Sequence, residues 1–438
     1  MKVLKFGGTS VGSVENMRAV MHLITDGNQK LVVLSAMSGT TNSLVEISNY
    51  LQKKNKDSAR QLISKLEQKY YDLVNNLYKT SEKQEKGKSI VSGIFQTIKF
   101  FTSGEFTEVG ENTIVAQGEL LSTALFTELM LENGFKTVYL QALDFMKIDS
   151  DKVADMNFIR ENIANVMQQS EVAEYYITQG FICRNADGNI DNLQRGGSDY
   201  TATLIGAAID SEEVEIWTDI DGFHNNDPRF VENTKKIDQL SFDEAAELAY
   251  FGAKILHPQT VLPAKLQNIP VRLKNTMNPS DAGTLITSTS SGKGLKAVAA
   301  KDGITAIKIR SYRMLNAYGF LKNIFEIFEF FKTPIDMIST SEVSVSLTID
   351  NTKHLNEIVS ELKEYGEVEV DNDLTIVCIV GNLIAEETGF ASQIFNALKD
   401  TQIRMISYGG SRHNISVLVK TELKKQTLES LSHKLLNA

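Results

Sequence analysis

The first twelve residues, MKVLKFGGTSVG, constrain this chain more than any other stretch. Val3, Leu4 and Phe6 read as a short buried strand, with Lys5 one residue before its end. Gly7 and Gly8 follow, and residues without a Cβ let a backbone turn sharply and approach a ligand closely. Ser13 is placed to cap a helix in which Val14, Met17, Met21 and Ile24 recur at helical spacing. A strand, a glycine turn and a helix start make an anion site, because free N–H groups and the helix dipole face the turn. Lys5 adds a full positive charge beside it. Two familiar nucleotide motifs are excluded. Gly7 to Gly12 has P-loop spacing, but Ser13 stands where that motif requires Lys, and the Rossmann fingerprint is absent from the turn. Taken alone, the pattern fits equally a first strand that ends in a flexible turn with a solvated lysine.

At 438 residues the chain exceeds one ordinary core, so two or three domains are expected. Its 42% hydrophobic and 23% charged content are those of a soluble globular protein. A formal net charge of -10 argues against a nucleic-acid or membrane-surface partner and requires local Lys and Arg for any anionic substrate. The N-terminus enters a strand directly, with no apolar signal region, and no run of 18 apolar residues occurs, so no membrane span is expected. Cys183 and Cys378 are far apart, which predicts no disulfide framework and a reducing, cytoplasmic setting.

Along the chain, Lys30–Ser35 (KLVVLS) reads as a buried parallel-type strand, followed by the small polar run Ala36–Asn42. Residues 57–79 read as an amphipathic helix with Leu62, Leu66, Tyr70, Leu73 and Leu77 on one face, and a second long helical region spans Glu105 to Asn133. Strands are expected at Thr137–Leu140, Tyr175–Thr178, Val214–Thr218 and Val271–Leu273. Alternating strands and helices predict an α/β domain around a mostly parallel sheet, ending near Thr287. Residues 288–303, beginning STSSGKGLK, read as a linker. Gly292 to Ala297 matches the dinucleotide pattern on paper, but it follows a Ser/Thr run and opens no helix.

From Ile304 onward the pattern changes to small units, repeated after about seventy residues. Gly319-Phe320 with Phe325 recurs as Gly389-Phe390 with Phe395, and Asp336–Ser339 recurs as Arg404–Ser407. Val343–Val345 recurs as Ile415–Val417. Each copy reads strand, helix, strand, strand, helix, which suits a small ferredoxin-like module and points to regulation more than chemistry.

The strongest chemical constellation is Leu193–Ala202, LQRGGSDYTA. Arg195 offers a planar fork suited to carboxylate or phosphate, and Gly196 and Gly197 expose consecutive N–H groups. Ser198 reads as a helix N-cap with Asp199 in the first turn, and the whole also fits an ordinary capped helix with a surface arginine. Ile216–Asp219 ends a strand and Ile220–Arg229 forms the loop after it. In open α/β sheets ligands bind beyond the carboxyl ends of strands, where Thr218, Asp219 and Arg229 would lie. Asp219, Asp221 and Asp227 equally suit turn chemistry. Lys254, in FGAKILHP, fits a phosphate contact or a plain surface position, and His257 before Pro258 reads as a packing residue. Glu119 and Thr41 are single polar residues beside turns that, alone, read as caps or surface groups. No metal spacing and no Ser-His-Asp order stands out. A missing general base is informative if the nucleophile is a carboxylate, which is already ionised at pH 7. Phosphoryl transfer to such a group needs positioning and neutralised charge, supplied by Lys, Arg and Mg²⁺.

With these stretches in place, the chain closely resembles the monofunctional aspartate kinases (aspartokinases). The matching segments are KFGGTSVG (5–12), SAMSGTTN (35–42), GELLST (118–123), RGGSDYTA (195–202), WTDIDG with DPR (217–229), GAKILHP (252–258) and TSEVSVSLT (340–348). They run in family order over nearly the whole chain. The resemblance implies an amino-acid-kinase fold over residues 1–290 and two regulatory ACT modules over 304–372 and 373–438. It implies transfer of the ATP γ-phosphoryl group to the β-carboxylate of L-aspartate, the first step of the lysine, threonine and methionine pathway. Lys5, Gly7 and Gly8 should then hold the transferring phosphate, with Lys5 and Asp199 catalytic and Asp199 near Mg²⁺ between the two substrates. Ser35, Thr41, Glu119, Arg195, Gly196, Gly197 and Ser198 should hold aspartate, Arg195 through a carboxylate and Glu119 through the ammonium. Thr218, Asp219, His224, Arg229 and Lys254 should line the ATP site.

The sequence departs from the family at three places. Gln194 replaces a usual Gly, His224 stands where Tyr is common, and Pro334 occupies a position that is Ser in lysine-inhibited relatives. Met314, Gly319, Asp336, Thr340, Ser341 and Glu342 still match the inhibitor site, so lysine inhibition and a homodimer paired through ACT modules are expected. Two alternatives are a kinase of another small acid, against which TSEVSVSLT and RGGSDYTA argue, and an inactive ACT-type sensor, which would be expected to lack Lys5 or Asp199. A fusion to homoserine dehydrogenase is not expected, because the chain ends just after the second repeat.

Overall fold

Runs of Val, Leu and Ile with no polar alternation make strands that must be covered on both faces, and the first unit is built around such strands. Strands and helices follow one another as β1 (Lys2–Phe6), α1 (Val14–Ile24), β2 (Lys30–Leu34), α2 (Thr40–Gln52), α3 (Lys56–Leu77), α4 (Ser81–Phe100), α5 (Glu108–Glu132), β3 (Thr137–Leu140) and α6 (Met156–Gln169). Next come β4 (Tyr175–Gln179), the hairpin β5 (Ile182–Arg184) and β6 (Ile190–Asn192), α7 (Gly197–Ala208), β7 (Val214–Thr218), β8 (Gln239–Ser241), α8 (Phe242–Phe251), α9 (Pro258–Leu266), β9 (Val271–Asn275) and β10 (Thr284–Thr287). The structure, a computed structural model, describes residues 1–438 apart from 194–195, 252–255, 291, 293, 316–317, 383 and 437–438.

Eight strands form one sheet in the order β3-β4-β2-β1-β7-β9-β10-β8, parallel throughout except where β10 runs against β9. The carboxyl ends of β1, β2, β4, β7 and β9 therefore share one edge, and each opens into a loop rich in small or polar residues. Leu4 and Phe6 face the main core with Val32, Leu34, Tyr175 and Ile177, packed beneath α1 to α5. By strand alternation Val3 and Lys5 face the other side.

The expected strands at 137–140, 175–178, 214–218 and 271–273 are all present, β4 and β9 being slightly longer. The helix expected over 57–79 is α3, and that expected from Glu105 to Asn133 is α5. In the latter, 78% of the most apolar 18-residue window is buried inside the protein, which is how a helix apolar on all sides behaves in a core. α4 and α6 are additions to the sequence reading, although α6 buries Ile159 and Ile163 at helical spacing. In α4 the pattern is interrupted by Gly87, where a Cβ would come within 2.6 Å of the Tyr78 ring and 2.9 Å of Val74. That glycine weakens helix propensity locally but lets α3 and α4 pack closely.

A second unit comprises residues 223–237, 243–254 and 290–438. Its sheet has the order β12-β13-β11-β14-β16-β15, from β11 (Gly294–Arg310), β12 (Ile338–Thr340), β13 (Ser344–Ile349), β14 (Glu367–Asn382), β15 (Ile403–Ser407) and β16 (Asn414–Lys420). Helices α10 (Phe320–Phe330), α11 (Leu355–Leu362), α12 (Phe390–Ala397) and α13 (Lys424–Leu431) complete the two copies of the repeat. Equivalence extends to backbone detail: Gly319 (φ 82) and Gly389 (φ 83) both start a helix from the left-handed region. The linker reading of 288–303 is corrected here, because β11 begins at Gly294 and pairs with β14 along its length. Residues 294–301 pair with 376–382, at the edge of the second copy, while 304–310 pair with 367–374. The first copy therefore leaves and rejoins one antiparallel pair at the bulge near Lys301 and Ile304. The segments 223–237 and 243–254, though early in the chain, pack in this unit. Val231 is buried among Val298, Ile384 and Leu428, and Val298 N–H donates to Asn225 O at 2.9 Å.

Candidate active site

Lys5 lies at the end of β1, only 8% exposed, and its Nζ stands 2.6 Å from Asp199 Oδ1 in the first turn of α7. An ammonium so placed is held by the carboxylate while its remaining protons stay available to an anion. The turn after it is tight. Gly7 N–H donates to Trp217 O at 3.2 Å and Ser38 N–H donates to Gly8 O at 3.0 Å. A Cβ on Gly8 would stand 2.7 Å from the Ala36 carbonyl oxygen, a backbone atom that cannot step aside. Gly8→Ala should therefore spread the turns after β1 and β2 and lower kcat/KM by tenfold or more (~1.4 kcal/mol in the barrier) with the circular dichroism spectrum retained. Steady-state kinetics beside the spectrum checks this, and unchanged kinetics would mean the close approach has no bearing on the site. The other end of the glycine loop is anchored by Ser10 Oγ, 2.7 Å from Thr276 Oγ1, while Thr276 N–H donates to Thr218 O at 2.8 Å. The ends of β1, β7 and β9 are thereby tied together.

Beyond β2, Ser35 O accepts Ser122 Oγ–H at 2.8 Å and Ala36 N–H donates to Glu119 Oε1 at 3.2 Å. Glu119 is corrected from the surface or capping group its local pattern suggests. It lies in the middle of α5, 3% exposed. Burial pushes its carboxyl up to about 7, the Ala36 hydrogen bond pulling the other way. Its Oε2 has no hydrogen-bond partner among the described residues. A buried carboxyl oxygen without a partner is costly unless a ligand supplies one. Gly118 allows the close approach, since a Cβ there would lie 2.9 Å from Ala36 Cβ. Thr41 stands in the first turn of α2, whose N-cap Gly39 has φ 82.

Three glycines shape the entry to α7. Gly196 (φ 73) caps it without a side chain, so the reading of Ser198 as N-cap is corrected. A Cβ would lie 2.3 Å from Thr260 Cγ2 at Gly196, 2.3 Å from the Phe181 ring at Gly197, and 2.4 Å from Ser198 Cβ at Gly180. The sequence reading missed Gly180 and Phe181, although glycine after the buried strand β4 is the same signal as Gly7 after β1. Phe181 has φ 69, an uncommon conformation for a bulky residue, and its N–H donates to Thr201 Oγ1 at 2.9 Å. Arg195 and Lys254 lie outside the described residues.

Thr218 ends β7 and donates through Oγ1 to Asp219 Oδ1 at 3.1 Å. His224 and Arg229 lie in the second unit, where His224 Nδ1 is 3.2 Å from Thr234 Oγ1. Arg229 grips Asp227 through Nε (3.0 Å to Oδ1) and Nη2 (2.7 Å to Oδ2). Partial burial raises the Asp227 carboxyl, but the Arg229 hydrogen bonds and charge outweigh it and leave it below the ordinary range. Asp227 also accepts Arg229 N–H at 2.9 Å, which is the turn chemistry its sequence suggests. Among the described residues no group of three His, Cys, Asp or Glu could hold a metal.

Of the residues read as regulatory, Asp336 has the most developed surroundings. Its side chain is 1% exposed, Lys301 Nζ lies 2.7 Å from Oδ1, and Tyr250 donates its hydroxyl to Oδ1 at 2.8 Å. Its Oδ2 has no partner among the described residues. Ser341 pairs with Ser344, hydroxyl to hydroxyl at 2.8 Å, while Thr340 and Glu342 are exposed. Met314 packs at the margin of the core beneath α10, and Gly319 starts that helix with open space around it.

The amino acid kinase family model matches residues 1–275, and an ACT domain model matches residues 377–435. Lysine-sensitive aspartokinase 3 of Escherichia coli is 34% identical over 443 residues, covering 98% of this chain and 98% of that protein. The crystal structure of E. coli aspartokinase III with aspartate and ADP superposes with a TM-score of 0.84 at 32% identity, over 100% of both chains. The Clostridium acetobutylicum aspartate kinase structure gives 0.85 at 27% identity, covering 99% of this chain and 100% of that one. With a lysine–carboxylate pair at a glycine turn and a repeat of ACT type after it, the chain belongs to the aspartokinase family.

Proposed function

We propose that this chain transfers the γ-phosphoryl group of ATP to the β-carboxylate of L-aspartate, giving 4-phospho-L-aspartate and ADP. The observation that carries this is the Lys5–Asp199 contact at the mouth of the Gly7–Gly8 turn, in a chain of the aspartokinase family. The attacking carboxylate is already ionised, so no base has to remove a proton. Catalysis is then positioning and charge neutralisation. Lys5 meets the transferring phosphoryl group, and the Gly7–Gly8 turn, its Gly7 N–H engaged by Trp217 O, holds the phosphoryl oxygens through the Gly8 N–H. Glu119 takes the substrate ammonium on its unpartnered oxygen, Arg195 takes a carboxylate, and Ser35, Thr41, Gly196, Gly197 and Ser198 complete the aspartate pocket. Thr218, Asp219, His224, Arg229 and Lys254 hold the nucleotide. Asp199 with the phosphates offers the few hard oxygens that Mg²⁺ prefers, and the ion would neutralise phosphate charge there.

Residues 1–290 carry the kinase sequence, of which 223–237 and 243–254 pack in the second unit, and 304–372 and 373–438 make the two ACT modules, the second extended by residues 294–301. The modules bind an amino acid, lysine foremost, at Met314, Gly319, Asp336, Thr340, Ser341 and Glu342. The enzyme works in the cytoplasm as a homodimer within amino-acid biosynthesis. ADP release with aspartate, glutamate or N-acetylglutamate, each with and without lysine, threonine and methionine, tests the whole reading. Turnover on aspartate alone, depressed by millimolar lysine, is expected. Turnover on glutamate instead would overturn the substrate, and indifference to lysine would remove the inhibitor.

Glu119 adds a pH test. Below pH 7 its carboxyl is protonated in the free enzyme and must lose that proton before pairing with an ammonium. The KM for aspartate should rise about tenfold per unit as pH falls below 7, and Glu119→Gln should flatten the profile at a high KM. A wild-type KM independent of pH between 5.5 and 8 would take the ammonium away from Glu119.

A further inference from the structure

α2 starts at Thr40 behind Gly39, which provides no side-chain cap. An uncapped start leaves the turn that carries Thr41 without its usual anchor. The anchor lies on α3. The Tyr70 hydroxyl stands 2.7 Å from the Thr40 hydroxyl, and both side chains are 1% exposed. From the other side α5 closes on the same turn, where a Cβ at Gly118 would meet Ala36 Cβ at 2.9 Å and Thr40 Cγ2 at 3.4 Å. The turn Ala36–Thr41 is thus clamped between a phenol on α3 and the Gly118–Glu119 step of α5, with the Ala36 N–H bonded to Glu119 Oε1. Burial raises the phenol well above the ordinary tyrosine range, and the nearby Glu119 charge adds to it against the pull of the Thr40 bond. The hydroxyl therefore keeps its proton.

We propose that Tyr70 is a positioning residue for aspartate. Acting through Thr40, its hydroxyl sets the spacing between the Thr41 turn and Glu119 that fits a four-carbon amino acid. This rests on the reading that Thr41 and Glu119 hold aspartate. Any buried tyrosine needs a partner for its hydroxyl, and bare packing would account for the contact without reference to substrate. The two roles separate experimentally.

Four variants decide it. Tyr70→Phe keeps the ring and removes only the hydroxyl, Thr40→Val keeps the shape of Thr40, Thr40→Ser keeps its hydroxyl, and the double variant combines Tyr70→Phe with Thr40→Val. Tyr70→Phe and Thr40→Val should each raise the KM for aspartate ~five- to tenfold, the size of one hydrogen bond, with kcat and the KM for ATP within about twofold. Thr40→Ser should bind aspartate like the parent, and the double variant should be no worse than either single one, since both remove the same bond. Discrimination against glutamate should weaken in step. A Tyr70→Phe enzyme that melts earlier but keeps its aspartate KM would reduce Tyr70 to a packing residue. If Glu119→Gln also leaves that KM unchanged, the aspartate pocket itself is misplaced. If Glu119→Gln raises it while Tyr70→Phe does not, only the positioning role falls.

Discussion

Lys5→Met is expected to lower kcat by about 10³ while the KM for aspartate stays within a few-fold, because the lost charge acts on the phosphoryl group in flight. The 2.6 Å contact with Asp199 complicates the stability side. Removing the ammonium leaves a largely buried carboxylate unpaired, so the variant should also melt earlier. A Lys5→Met/Asp199→Asn double variant separates the effects, since it removes the uncompensated charge and should regain thermal stability without regaining turnover. Rapid-quench measurement of ADP formation in a single turnover shows whether chemistry or product release is affected. Near-normal single-turnover rates in Lys5→Met would remove this residue from the phosphoryl-transfer step.

A chain ended at Thr289 should fail to give a working kinase. The sequence boundary looks natural, but residues 223–237 and 243–254 would lose their surroundings. Val231 would be stripped of Val298, Ile384 and Leu428, and the Phe230 ring of the Lys424 ammonium 4.0 Å away. Asn226 would lose its bond to Leu428 O, Tyr250 its bond to Asp336, and Glu247 its bond to Asn414. Uncovering each large apolar side chain costs about 1.5–3 kcal/mol, a large share of the stability of a typical domain. Low soluble yield, with ADP release near background, is the expected outcome. A soluble, fully active 1–289 fragment would show that these segments fold without the second unit.

How much could be read beforehand depended on where each signal resides. β1 (KVLKF) and β2 (KLVVL) are short, mostly apolar runs, and α3 repeats its buried residues at helical spacing, so both kinds of element declare themselves locally. The repeat behind residue 304 was visible because its copies share glycine, aromatic and strand residues in register. The strand at 294–303 was hidden. Its AVAAKDG core has weak strand propensity, and the pairing that makes it a strand comes from β14, some eighty positions later. Ser198 misled for a different reason. Serine caps helices well, yet Gly196 in the left-handed region already starts this one, with Thr260 packed too near Gly196 and Phe181 too near Gly197 for any larger residue. Glu119 illustrates the limit of local reading. Nothing in QGELLST says that this carboxyl is buried with one oxygen unpartnered, because that follows from how α5 meets the turn after β2.

Lys301 faces Ile376 and Ile304 faces Leu374, so the roughly seventy residues of the first copy begin and end at neighbouring points of one ribbon. A guest seated that way can be lifted out and the gap closed by a short hairpin, leaving the host's hydrogen-bond ladder unbroken. A single insertion or deletion at that point would add or remove the whole module, at the cost to the host of the Lys301 and Tyr250 contacts with Asp336.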